Sequence, residues 1–175
     1  MIKLKKTFVN LFLFWYTKCI LKKKEADVMQ ISVRQGEVSS IDFAKYLNKK
    51  ALEQDKSPNI TKINKWLYIC YGLFLAINEK QLLHEKPEAW QYGPFFPDVH
   101  KANKKNTLIN DVPLLSQYDE LIDVVLEKFG DWTAGELVDW THVDGKAWSV
   151  TAHQQDMDNL NILNDFNELF EDSYE

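Results

Sequence analysis

The chain has 175 residues, 45% apolar and 27% charged, which suits one domain with a real core and leaves little room for two. Its net charge is −5; residues 1–30 hold seven lysines against Glu25 and Asp27, a local +5, so the other 145 residues carry −10. A body this acidic repels nucleic-acid phosphates and suits either a basic protein partner or simply solubility; two cysteines (Cys19 and Cys70) imply no disulfide framework, which fits a reducing cytoplasm.

Phe8–Leu21 reads FVNLFLFWYTKCIL between lysines, as a signal peptide begins, yet Lys22-Lys23-Lys24-Glu25 follows in place of a small-x-small cleavage site. A spanning helix needs about 20 apolar residues, and Asn10, Thr17 and Lys18 interrupt this run. Three readings stay open: upstream sequence with Met29 as the true start, a basic amphipathic helix on a membrane surface, or an uncleaved anchor. The first is expected, because the chain from Met29 onward reads as a complete domain. Residues 1–30 are then a basic, apolar extension and residues 31–175 the domain, with no stable membrane association.

Ser39 and Asp42 have the spacing of a capping box and open a helix whose Phe43, Ala44, Leu47 and Ala51 share one face. It should end near Asp55, before Ser57-Pro58. The clearest element is a helix over Thr61–Asn78. Ile63, Trp66, Leu67, Cys70, Tyr71, Phe74 and Ile77 keep helical spacing, and Ile69, Leu73 and Ala76 are apolar on other faces. A helix apolar nearly all round belongs in the middle of the core, and Cys70 reads as a buried thiol. Gly72 costs such a helix about 1 kcal/mol relative to Ala and is expected to let another backbone approach.

Leu82-Leu83 and Glu88–Tyr92 read as short extended pieces flanking the turn Glu85-Lys86-Pro87, a small β element over about residues 82–92. Gly93-Pro94 breaks regular structure, and Pro97 opens a short helix through Lys104. Ser116 and Asp119 form a second potential capping box before a helix of Leu121, Ile122, Val125 and Phe129 that Gly130 ends. Thr133 and Glu136 form a third, before Leu137, Val138, Trp140 and Thr141. Val143–Lys146 must turn, and a short helix follows around Trp148. From Thr151 the tail has seven acids and no Lys or Arg, with Ile162, Leu163, Phe166, Leu169 and Phe170 at helical spacing. The expected fold is mainly α, a single compact helical domain with one small β element.

Chemistry is sparse. Four histidines, His84, His100, His142 and His153, occur without HExxH, CxxC or a Gly-rich phosphate loop. The set His142, Asp144 and His153 has no recognised metal-ligand spacing. Thr141 and His142 are sequence neighbours, but neighbours on a helix point about 100° apart, so no nucleophile–base pair is expected. His142 is expected to hold the following turn, through Asp144. Nucleic-acid binding lacks a basic face outside residues 1–30. Two stretches combine Trp, Gly and a sharp turn: Glu88–Pro97 and Glu136–Trp148. Their rings either staple turns to the central helix as a small core or shape a groove or knob for a partner.

These stretches resemble the Panacea domain, the family of SocA-like antitoxins often described as phage-associated or GepA-type proteins. The resemblance rests on Ile63–Ala76 (INKWLYICYGLFLA), Ala89–Pro97 (AWQYGPFFP) and Leu137–Trp148 in that order, and covers roughly residues 41–155. The chain departs from the pattern at Phe95-Phe96, where a small β-branched pair is usual, and at Lys146-Ala147 before the Trp. The resemblance implies an antitoxin that neutralises a cognate toxin encoded beside it by direct binding, with no cofactor and no established catalytic residues. The expected partner-binding set is Trp90, Tyr92, Gly93, Pro94, Phe95, Phe96, Trp140, Thr141, His142 and Trp148. Trp90, Trp140 and Trp148 are expected to be largely structural; Phe95, Phe96 and the acidic tail are the candidates for partner-facing variation. Two rivals remain: an adaptor delivering a bound protein to a protease, and a small hydrolase centred on His142.

Overall fold

A computed structural model describes residues 36–171; the readings of residues 1–30 and of the last four residues of the acidic tail lie outside them. The chain runs through α1 (Ser40–Glu53), α2 (Ile60–Asn78), β1 (Glu88–Trp90), β2 (Gly93–Phe95), α3 (Pro97–Lys104), a 3-10 turn (Ser116–Tyr118), α4 (Asp119–Phe129), α5 (Ala134–Thr141), α6 (Ala147–Val150) and α7 (Asn159–Glu171). It is mainly α, as the periodicity predicts. Among the described residues no helix is long and apolar enough to cross a membrane.

Helix α2 is the axis of the fold. Every residue from Lys62 to Leu75 is buried, as an all-round apolar pattern requires, and α1, α3, α4, α5, α7 and β2 all pack on it. Asn59 caps it by accepting from the Lys62 amide, and Glu79 ends it in the left-handed conformation at φ 54°. Cys70 is a fully buried free thiol, its pKa pushed up by burial. Gly72 does permit a close approach, but what arrives is a side chain: a Cβ there would overlap the Phe166 ring of α7. Phe166 also meets Tyr68 edge-on, with centroids 5.7 Å apart.

The helix ends follow the cap signals with one exception, at Ser116 and Asp119. Ser39 accepts from the Asp42 amide at 3.0 Å, and Thr133 and Glu136 form a full capping box. Ser116 and Asp119 do not: a 3-10 turn leads into α4 with no side-chain cap. Asp119 instead accepts from the Tyr46 hydroxyl at 2.7 Å; burial, and after it this bond, holds the phenol up at about 12. Helix α1 ends at Glu53, near Asp55 as expected, and Asp55 turns left-handed at φ 56°.

The β element lies further along than expected. Leu83 makes only an isolated parallel bridge to Val38. The strands are β1 and β2, paired antiparallel with Trp90 opposite Gly93, Ala89 opposite Pro94 and Glu88 opposite Phe95. Gly93-Pro94 therefore builds a strand instead of ending one. Proline costs a strand its N–H, which a two-stranded hairpin tolerates. The other side of β1 is taken by the segment after α6, where Ala89 N–H donates to Gln155 O and Gln154 N–H to Ala89 O.

Candidate functional site

The two aromatic stretches meet at the β1–β2 hairpin, where side chains hold a run of backbone groups. Trp148 Nε1–H donates to Trp90 O at 2.8 Å. His142 Nε2 lies 3.2 Å from Gln91 O. Lys65 Nζ donates to Tyr92 O and, at 3.0 Å, to Pro94 O. Asn64 Oδ1 accepts from Phe96 N–H at 2.9 Å. The last two residues come from α2, His142 caps the end of α5, and Trp148 belongs to α6. His142 and Trp148 also stack on each other, with centroids 3.4 Å apart.

Gly93 is required by the turn twice over. Its φ is +90°, and a Cβ there would lie 2.6 Å from Lys65 Nζ and 3.0 Å from Thr141 Oγ1. Lys65 is 2% exposed. Burial brings its amine down to about 7, where a neutral amine still has two N–H groups for its two carbonyl partners.

The expected site residues do not all come to one place. Trp90, Gly93, Pro94, Thr141, His142 and Trp148 gather at the hairpin and mostly build it; Gly93, Pro94 and Thr141 are buried. Tyr92 stands at the tip, 67% exposed. Trp140 goes elsewhere: it packs on Phe129 and Phe166 with centroids 5.1 and 6.2 Å away. Phe96 corrects the expectation of a partner-facing ring. It is 1% exposed and packs against Tyr71, because its neighbour Phe95 points outward and it points in. Phe95 is half-buried, between the rings of Trp90 and His100.

The reading of His142 also changes. Its partner is Gln91, 51 residues away, and not the neighbouring turn. Thr141 Oγ1 donates back to Leu137 O at 2.9 Å, the usual resting place of a helical threonine hydroxyl. Among the described residues no group of three or more His, Cys, Asp or Glu side chains could hold a metal ion.

Asn64 and Lys65 belong to the site although no sequence motif assigns them a role there. The signal was present: polar side chains inside an all-round apolar helix have no solvent face, so they must bring partners into the core.

Beside the hairpin lies an open groove of about 690 Å³, lined by Trp90, Tyr92 and Phe95 of the hairpin, Ile60 of α2, His100 and Lys104 of α3, and His153.

Comparisons with known proteins bear on this geometry. The family described as "Antitoxin SocA-like, Panacea domain" matches residues 63–149, a span that includes Asn64, Lys65, the hairpin, His142 and Trp148. Antitoxin SocA of Caulobacter vibrioides (strain NA1000 / CB15N) is 30% identical over 128 residues, covering 63% of this chain and 68% of that protein. No solved structure matches the chain.

Proposed function

The chain belongs to the SocA-like antitoxin family with a Panacea domain, and on that premise we propose that it neutralises a toxin protein by binding it directly, one molecule to one. The observation that supports this best is Tyr92, 67% exposed at the tip of a turn whose backbone is held by Lys65, His142 and Trp148. A large amphipathic ring on a turn already fixed in place loses little freedom on binding, which is what a strong interface contact needs. The encounter takes place in the cytoplasm, where a buried thiol such as Cys70 stays reduced.

The rival readings gain less. A hydrolase centred on His142 would need a nucleophile at its ring, and the Thr141 hydroxyl is spent on Leu137 O. An adaptor would share the binding surface but not the outcome. Expressing the product of the adjoining reading frame, toxic alone, with graded amounts of this chain tests all three. Protection should saturate at equimolar protein and persist in cells lacking their energy-dependent proteases. Protection lost with the proteases would overturn direct neutralisation in favour of an adaptor. Protection by a few copies against a large excess would mean catalysis.

A further inference from the structure

The groove beside the hairpin has a charge pattern at odds with the rest of the chain. None of its fifteen lining residues is Asp or Glu, although the chain has 26 acidic residues. Three lining residues are lysines: Lys65, Lys101 and Lys104. On the far side of Pro97, the neighbouring cavity of about 590 Å³ is lined by Glu85, Glu88, Asp98 and Asp156. The Asp98 carboxylate meets Lys101 at 2.9 Å from that side. Carboxylates thus line one side of the start of α3 and not the other; Lys101 borders both cavities and Lys86 the acidic one, Lys65 is held by the hairpin carbonyls, and Lys104 is the lysine that faces the groove alone.

The wall of the groove is aromatic and continuous. Trp90 lies 5.0 Å from Phe95 and 5.9 Å from His153, and Phe95 lies 5.5 Å from His100, centroid to centroid. Lys101 and Lys104 are three residues apart on α3 and so stand over the same face. Both are exposed.

We infer that this groove receives an acidic segment of the toxin, its carboxylates meeting Lys101 and Lys104 and an apolar or aromatic side chain seated on the Trp90–Phe95 wall. The inference rests on the antitoxin reading and deepens it. The complementarity is local: a body carrying −10 over residues 31–175 suits basic partners broadly, while this groove suits the opposite sign. A nucleic-acid strand fits less well, because its phosphates continue past the groove into the acidic body and the carboxylate-lined cavity beside it. A short acidic peptide segment ends where the lysines end.

The test uses the full chain and the purified product of the adjoining reading frame. Lys101→Glu/Lys104→Glu is compared with Lys49→Glu/Lys80→Glu, the same charge change away from the groove. Like charges facing each other should weaken the complex about tenfold or more for the groove pair, with the distal pair near wild type and melting curves alike. A photo-crosslinker in place of Lys104 should capture a toxin segment rich in Asp and Glu. Equal losses in both pairs, or a crosslink to a Lys- and Arg-rich segment, would overturn the inference while leaving the antitoxin reading standing. So would tight, Lys101- and Lys104-dependent binding of oligothymidylate, which would make the groove a nucleic-acid site. Absence of any complex with the wild-type chain would overturn both.

Discussion

Helix α2 carries two polar clamps that look alike and serve different ends. In one, Lys62 Nζ donates to Gly130 O at 2.9 Å while lying 4.9 Å over the Trp66 ring, and Trp66 Nε1 donates to Phe129 O at 3.1 Å. This places a cation and a donor on the last carbonyls of α4, where the helix dipole favours them. In the other, Lys65 and Asn64 take Tyr92 O, Pro94 O and Phe96 N–H. The first clamp joins helix to helix inside the core. The second fixes a hairpin whose tip and flank are exposed. Lysine-to-carbonyl bonds one turn apart on one helix thus build an interior joint and a presented surface.

The largest effect should come from the residue that joins the hairpin to the core. Phe96→Ala removes a ring 1% exposed and should cost about 3–5 kcal/mol, read as a drop in the urea midpoint. A small change would mean that the hairpin is not anchored there.

The two clamps should then separate by readout. Lys62→Met and Lys65→Met each strand buried carbonyls and should each cost about 2–3 kcal/mol. Only Lys65→Met should also weaken toxin binding when both variants are assayed fully folded at low temperature. Equal binding losses would erase the distinction between joint and surface.

Lys65 also makes a pH prediction. Its amine stays charged up to about pH 10.5 when unfolded but loses its proton near 7 when folded. Between those values the unfolded state binds more protons, so this group makes stability rise with pH. The slope should be on the order of 1 kcal/mol per pH unit from pH 7.5 to 9. Urea midpoints of wild type should climb over that range relative to Lys65→Met; parallel curves would mean that Lys65 keeps its proton in the fold.

Gly72→Ala tests packing at a distance from both clamps. Its Cβ runs into the Phe166 ring, and overpacking of this kind should cost about 1–3 kcal/mol. Phe166→Leu in the same chain should recover part of the loss. Lack of any recovery would place the strain elsewhere.

Much of this was legible in the sequence. The all-round apolar run of α2, the Pro97 start of α3, the Thr133–Glu136 box and the spacing of Ile162 and Phe166 in α7 are local signals, and the fold follows them. What escaped was set by partners far along the chain. Lys65 meets carbonyls 27 and 29 residues on, Lys62 one 68 residues on, and His142 one 51 residues back. Phe95 and Phe96 are alike in type, and what separates the half-buried ring from the core one is the extended backbone that carries Phe96 from the end of β2 into α3. Gly93-Pro94 reads as a breaker by residue type; in the fold Gly93 takes a positive φ at the turn and the hairpin uses that turn to begin β2.

The most direct test is Tyr92→Ala, assayed for stability and neutralisation together. The ring is 67% exposed, so the unfolding midpoint should stay within about 0.5 kcal/mol of wild type, while affinity for the toxin falls by at least about tenfold. Neutralisation at wild-type strength by a folded Tyr92→Ala chain would contradict the account of the hairpin as the presented binding surface.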